Sequence, residues 1–373
     1  MFEGKIGIIW TLDRICEWNC DYCCVDAYCV TKDKNNISIT SNNFNYTEPV
    51  AINDNKNIYQ QGQDILVKHG LSLTLEDKIK ILNNLQGANI EIGFSGGDFL
   101  LNLENLKVVQ LASKMFGKEN IGITATGVGM RAGHIEDYLE YIGQLDFTFD
   151  NTDFNDENHQ QPGYNDSNLQ AFKKIVAECR AKKVITQALI PISNTNKSPE
   201  VITALYSTLK QAGVDKLYLM RTFPVGRGFK TQAERFSPDE YRSIINKYYE
   251  LEKEMSGPSV NIMCALKYLF PEKWDDPCTF LKSTIDITST GNLIADAFAY
   301  GLKGEPLLKE LTFGNLKENR FTDLINSPKI KALAKRIHEN KGHCKVIAYI
   351  NNQAAGIDGF FSETDPLYDG QNK

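Results

Sequence analysis

The sequence predicts an α/β fold: six parallel strand–helix units wound into a sheet or partial barrel, followed by a smaller α+β module. Three observations carry this. Short runs rich in β-branched and aromatic residues alternate with longer runs of helical spacing up to about residue 230. Glycine turns close several of the strand-like runs, as in "ANIEIGFSGG". After a long helical run at 237–255 the alternation stops and the pattern becomes mixed. Strands that alternate with helices pair in parallel, because each helix carries the chain back to the start of the next strand.

The elements follow in order. Lys5–Thr11, "KIGIIWT", reads as a buried strand. Residues 31–60 are asparagine-rich, polar and without clear period, which predicts an insertion or lid. "TLEDKIKILNNL" starts on Thr and Asp and has helical spacing; "ANIEIGFSGG" is a strand running into a turn. "LENLKVVQLASKMFG" and "NIGITATGVG" form the next helix and strand, then "GHIEDYLEYIG" and "LDFTFD". "NLQAFKKIVAECRAK" with "KVITQALIPIS", and "SPEVITALYSTLKQAG" with "DKLYLMRTFPVG", complete six strands. The predicted division is 1–230 for the barrel, 231–257 for a bridging helix and 258–373 for the smaller module. Within that module "STIDITSTGNLIAD" alternates like a hairpin turning at Gly291–Asn292.

Bulk properties remove several function classes. The chain has 373 residues and a formal charge of −6, which gives no electrostatic case for binding nucleic acid or an anionic membrane. No stretch reaches the roughly 20 apolar residues of a membrane span. "FEGKIGIIWTL" is broken by Asp13 and Arg14 too soon for a signal peptide. A cytoplasmic protein is expected, in which clustered cysteines bind metal more often than they pair as disulfides.

Five of the nine cysteines fall in "ICEWNCDYCCVDAYC", residues 15–29, directly after the first strand. In parallel βα folds catalytic groups gather at the carboxyl ends of the strands, and this loop leaves the first strand at that end. Cys16, Cys20 and Cys23 are spaced C-x3-C-x2-C. Three thiolates on a short loop can hold three irons of a [4Fe–4S] cluster and leave the fourth open. Structural zinc requires a fourth ligand, which only Cys24 or Cys29 could supply here, so the spacing favours the cluster.

On these residues the chain resembles the radical S-adenosylmethionine (SAM) superfamily. The C-x3-C-x2-C loop after the first strand, with Tyr22 before the last cysteine, is similar to that family's signature. "GFSGGDFLL" at 93–101 resembles the "GGE" turn that holds the methionine amino group, here Gly96, Gly97 and Asp98, with Asp in place of Glu. "YLMRTFPVGRG" at 218–228 resembles the sixth strand and P-x-G exit of peptide-modifying members. The resemblance implies a TIM-like (β/α)6 partial barrel binding SAM and a [4Fe–4S] cluster. It also implies reductive cleavage of SAM to a 5′-deoxyadenosyl radical that abstracts hydrogen from substrate. Thr124, Thr126, Thr148, Asp150, Gln187 and Arg221 lie on or at the ends of successive strands. They are candidates for touching SAM, Asp150 and Arg221 foremost; the alternative is that several are satisfied polar groups inside the barrel. Asp150 and His159, the latter in the loop after the fourth strand, are also the candidate catalytic residues.

The carboxyl third resembles the SPASM/twitch extension, which binds auxiliary clusters. Cys278 leads to Gly291, and Asp296 stands where the pattern "C…G-x4-C" wants cysteine. "GHCKVIAY" and "TDPLY" match the distal pattern around Cys344, with Leu367–Tyr368 where a last cysteine would stand. The resemblance implies one auxiliary [4Fe–4S] cluster held by Cys264, Cys278 and Cys344, and a second one lost. The fourth position is open to Asp296, to His343 or to substrate; the competing reading makes the three cysteines ordinary core residues. Cys24, Cys29 and Cys179 belong to neither set, and Cys179 is expected to pack inward from its helix.

Members of this type act mostly on ribosomally made peptides or on sulfatase and dehydrogenase polypeptides, which implies a precursor peptide as substrate. The chain begins within four residues of its first strand, so a separate small leader-binding protein, or the 31–60 insertion, is expected to grip the peptide. A flavodoxin or ferredoxin is expected as electron donor. Crosslinking, epimerisation and excision of a tyrosine-derived unit all remain open. The rivals are a small-molecule radical SAM dehydrogenase or cyclase, and a non-catalytic iron–sulfur or zinc scaffold.

Overall fold

Six parallel strands follow one another around the sheet without reversal: β1 (Ile6–Asp13), then β6 (Ile90–Gly96), β7 (Ile121–Ala125), β8 (Gln144–Thr148), β9 (Ile185–Pro191) and β10 (Lys216–Met220). This is the computed structural model, and it describes all residues except 1, 3, 19, 43, 50–55, 127–133, 151–165, 224, 230–235, 297–310, 340–343 and 346–373. Winding in one direction puts every crossover helix on the same face, so the sheet curls around its other face as a partial barrel, as the sequence predicts. The registers run in parallel throughout, for example Ile8 beside Ile92 and Phe147 beside Ala188.

The helices form where spacing and caps predict them. Leu75–Asn84 is capped by Thr74, Pro199–Ala212 by Ser198, and Pro238–Met255 by a reciprocal Ser237–Glu240 box. Asn105–Phe116 and Asp166–Ala181 supply the others. One expected helix shrinks: "GHIEDYLEYIG" has a single turn, Ile135–Tyr138, because the next amides bond three residues back, Leu139 to Glu136 and Tyr141 to Tyr138. Ile8, Trp10, Ile92, Phe94, Ile123, Leu145 and Leu217 are buried against this helical layer. Each large apolar side chain so buried contributes about 1.5–3 kcal/mol. The opposite face of the strands carries Gly7, Gly93 and Gly122, and its Ile9 is 39% exposed. The inside of the barrel is therefore thinly filled.

Further strands extend the sheet at both edges. β11 (Ser259–Ile262) adds in parallel beside β10, and β12 (Thr284–Ile287) adds in parallel beside β1. β12 turns through Gly291, at φ +84°, into antiparallel β13 (Asn292–Ile294), followed by β14 (Thr312–Asn315). The predicted hairpin thus forms, as a continuation of the barrel sheet that brings the carboxyl third alongside β1.

The described residues of the polar 31–60 segment are more ordered than its composition suggests. β2 (Ile15–Cys16), β3 (Tyr28–Lys32), β4 (Asn36–Thr40) and β5 (Asn45–Pro49) form a second sheet, under the helix Ile58–Lys68. Val30, Ile37 and Ile39 point into a small core with Ile65 and Leu66. Asn35 and Asn36 mark a turn, where Asp33 accepts their amides at 2.8 and 2.7 Å. β2 and β3 pair in parallel with Cys16 beside Cys29, so the first cysteine is tied into this small sheet. Among the described residues no helix is long and apolar enough to cross a membrane.

Beneath the carboxyl end of β1 lies a buried polar network. Lys78 Nζ donates to Asp13 Oδ1 at 2.8 Å and to Asn105 Oδ1 at 2.9 Å, with both charges almost fully buried. Asn102 at 3.1 Å and Asn105 donate to the other Asp13 oxygen, and Ser72 reaches the first at 3.4 Å. Removing one partner of such a pair strands the other charge in the interior. Lys78→Met is therefore expected to lower unfolding free energy by about 3–5 kcal/mol. Chemical denaturation measures it, and a loss under about 1 kcal/mol would show that the pair carries no such weight.

Candidate active site

At the carboxyl ends of all six barrel strands the chain encloses a cavity of about 190 Å³. One wall is the cysteine loop, with Cys16, Trp18, Cys20, Tyr22, Cys23 and Cys24. Gly96 and Gly97 enter from β6, and Thr124, Thr126 and Thr148 from β7 and β8. Arg221 and Arg227 come from the segment after β10. The structure brings three of the candidate thiols, both glycines, three threonines and Arg221 to this one cavity. Two other candidates are not among its lining residues. Asp150 is buried, with its Oδ2 accepting the Tyr22 hydroxyl at 2.6 Å. Gln187 donates to Asp146 Oδ1 at 3.2 Å, lower in the barrel. His159 lies outside the described residues.

The glycine turn is set by a close backbone approach. The Gly97 amide donates to Asp13 O at 2.9 Å and the Asp98 amide to Ile15 O at 2.7 Å. A Cβ at Gly96 would stand 1.8 Å from Asp13 O, and one at Gly97 2.1 Å from Ile15 O. Only glycine allows the turn to lie this close to the strand that launches the cysteine loop. Asp98 points its carboxylate inward: Oδ1 accepts the Leu100 amide at 3.2 Å and Oδ2 accepts the Thr126 hydroxyl. The shorter acid thus braces the turn against β7, while the glycines face the cavity.

The three motif thiols suit an iron–sulfur cluster. The Trp18 amide points at Cys16 Sγ at 3.5 Å and the Ala27 amide at Cys23 Sγ at 3.4 Å, donors of the kind that stabilise cluster sulfurs. None of the nine cysteines is disulfide-bonded. Burial, and then the Asp98 carboxylate, raise Cys16 well above the ordinary thiol range. Burial pushes Cys20 up to about 12, with Cys23 and Asp150 adding to the shift and Arg227 opposing it. Such thiols stay protonated until a metal displaces the proton. Among the described residues no three His, Cys, Asp or Glu side chains converge at single-ion distance, as tetrahedral zinc would require. A cluster, in which each thiolate meets a different iron, does not require it.

Two arginines that sequence reading did not single out hold the loop. Arg14, 4% exposed, donates to Val25 O and Asp26 O at 2.8 Å each and to the Tyr28 hydroxyl at 3.2 Å. Arg227, 7% exposed, donates to Cys20 O and Ala27 O at 2.8 Å each and to Trp18 O at 3.4 Å. Neither shows in hydrophobic periodicity, although Arg227 stands within the P-x-G stretch.

A second thiol neighbourhood forms beside the first. Cys278 and Cys344 are buried, and Cys264 follows β11 half-buried. Burial, then Asp296, push Cys264 up to about 11; burial, then Cys264, push Cys278 up to about 12. Backbone amides at Ala265 and Thr279 point at Cys264, and that of Phe280 at Cys278. The hydroxyl of Tyr268 lies in the field of Cys264, Cys278 and Cys344 together. Asp296 acts on Cys264 and Cys278, and also on Cys24, which burial and Cys23 push up to about 12. His343 and Leu367–Tyr368 lie outside the described residues. Cys179 packs inward, fully buried, and Cys29 is half-buried beside Cys16.

The tight turn yields a direct test. Gly97→Ala is expected to cost about 1–3 kcal/mol, since its methyl must displace the Ile15 carbonyl. Thermal unfolding reads this, and an unchanged midpoint would mean that the turn tolerates a side chain.

No protein-family model matches the chain, and no curated protein matches it in sequence. Solved structures do match. SuiB of Streptococcus suis bound to precursor peptide SuiA gives a TM-score of 0.66 at 12% identity, over 98% of this chain and 76% of that one. SuiB bound to S-adenosylmethionine gives 0.64 at 11% identity, over 98% and 75%. Native anSMEcpe with bound AdoMet and Cp18Cys peptide gives 0.53 at 13% identity, over 89% and 83%. At these identities the likeness is one of fold, and the chain has the fold of SuiB and anSMEcpe.

Proposed function

We propose that this chain is a radical SAM enzyme that modifies a ribosomally made precursor peptide in the cytoplasm. One observation carries the reading: Cys16, Cys20 and Cys23 face Gly96 and Gly97 across a single cavity at the carboxyl ends of the barrel strands. Cys16, Cys20 and Cys23 would hold a [4Fe–4S] cluster, which would supply the electron for reductive cleavage of SAM to methionine and a 5′-deoxyadenosyl radical.

The chain's own groups fit the remaining tasks. The cavity wall at Gly96 and Gly97 leaves room for the amino acid end of SAM. Thr126, fixed by Asp98, and Thr148 offer hydroxyls toward the nucleoside. Arg221 offers a cation for a carboxylate. Leu189, Pro191, Met220 and Phe223 line the rest with apolar surface that keeps water from a reactive carbon. Asp150, held by Tyr22, stays a candidate for contact with SAM or substrate, and His159 an outside candidate for contact with substrate.

The peptide substrate is supported by the shared fold of SuiB and anSMEcpe, solved with a precursor peptide and with a peptide respectively. A separate small leader-binding protein and a flavodoxin or ferredoxin complete the proposed system. Cys264, Cys278 and Cys344 with Asp296 would hold one auxiliary [4Fe–4S] cluster, a carboxylate being a harder but admissible iron ligand.

Anaerobic reconstitution tests both parts. With dithionite and SAM the iron-loaded protein is expected to release 5′-deoxyadenosine, and Cys20→Ala to release none. A loaded wild-type protein that forms no 5′-deoxyadenosine would sink the radical reading. Iron analysis should give about eight irons per chain, falling to about four when Cys264, Cys278 and Cys344 are all replaced by Ala. About four irons in the wild type would remove the auxiliary cluster.

A further inference from the structure

We infer that Arg227 is a positioning residue for the SAM-cleaving cluster, which fixes the cysteine loop's backbone and raises the potential at which the cluster accepts an electron. The inference rests on the proposed function. Its basis is that one buried guanidinium spans the whole C-x3-C-x2-C loop. The side chain donates to the carbonyls of Trp18, Cys20 and Ala27, while its backbone amide donates to Cys23 O at 2.9 Å. These acceptors lie on both sides of the second and third motif cysteines.

The flanking glycines show how closely the two segments meet. Gly226 has φ +57°, and a Cβ there would stand 2.4 Å from Cys23 O and 2.5 Å from Cys24 O. The V-G-R-G turn after β10 is thus laid directly on the loop that leaves β1. It joins the last barrel strand to the first across the cavity.

Charge separates Arg227 from the other loop arginine. Arg227 lines the cavity beside the motif thiols and bonds the carbonyls of two of those cysteines, Cys20 and Cys23, so its charge stands next to the proposed cluster. Arg14 grips the far side of the loop through Val25, Asp26 and the Tyr28 ring, 4.6 Å from its guanidinium carbon. Those contacts fall beyond the last motif cysteine, and Arg14 is not among the residues that line the cavity, whereas Arg227 is. One arginine is therefore structural alone, and the other is structural and electrostatic. One-electron reduction adds a negative charge to the cluster, and a buried cation nearby favours that charge.

The experiment compares reconstituted wild type with Arg227→Lys, Arg227→Gln and Arg14→Gln. It measures iron per chain, circular dichroism and the midpoint potential by EPR-monitored dithionite titration. Arg227→Gln is expected to make reduction at least tenfold less favourable, a shift of at least 59 mV to more negative potential. Arg227→Lys is expected to keep the potential near that of wild type while holding iron less well, because an ammonium cannot span three carbonyls. Arg14→Gln is expected to lower stability and leave the potential in place. A native-like fold in Arg227→Gln that no longer loads iron, with loading kept in Arg227→Lys, also supports the inference. It is overturned if Arg227→Gln keeps both iron and potential, or if Arg227→Gln and Arg14→Gln lose the fold alike. A wild-type protein that takes up no iron overturns the proposed function first, and this inference with it.

Discussion

At the end of β1 the chain has to stop pairing as a strand and release a loop of thiols, and Asp13 is the residue at which both happen. Its carboxylate is the buried counter-charge of Lys78 and the acceptor of Asn102 and Asn105. Its carbonyl receives the Gly97 amide, which sets the glycine turn of β6 against the loop. An ion pair buried this deeply gains little net energy over an apolar pair, since desolvation offsets the attraction. What it supplies is position. The carboxylate has one set of partners that satisfies it, so the ends of β1 and β6 have one relative placement. Glycine turn and cysteine loop then face each other across the cavity.

Above that strut the electrostatics point one way. Burial disfavours thiolate at Cys16, Cys20, Cys264 and Cys278, and the carboxylates of Asp98, Asp150 and Asp296 disfavour it further. A chain that gathers acids around buried thiols, and sets a buried cation beside each group, is arranged for ligands that bring positive charge. Arg227 fills that place beside the loop. Lys345 does so beside Cys278 and Cys344, where burial depresses the lysine and the thiols oppose that shift. The proposed iron–sulfur clusters would supply the remaining charge.

Much of this was legible in the residues themselves. The six strands and most helices follow from alternation and from Thr74, Ser198 and Ser237 at the caps. The motif thiols and the glycine pair were readable because fixed short spacings place them on one loop and one turn. The small sheet at 28–49 was not, because three short strands around Ile37 and Ile39 show too few alternations to stand out from the asparagines. Arg14 and Arg227 escaped for a different reason. Their roles lie in carbonyls met only after folding, across a separation of about 200 residues in the case of Arg227 and Ala27. Asp150 stands at the strand end where its position places it, and its hydrogen bond from Tyr22, 128 residues away in sequence, becomes visible only after folding.

The central claim is that SAM binds against a cluster held by the first three motif cysteines. EPR of the reduced, reconstituted protein with and without SAM tests it most directly. Adding SAM is expected to change the signal of one cluster, and that response should vanish in Cys16→Ala, Cys20→Ala and Cys23→Ala. A reduced cluster whose signal is indifferent to saturating SAM would contradict the account.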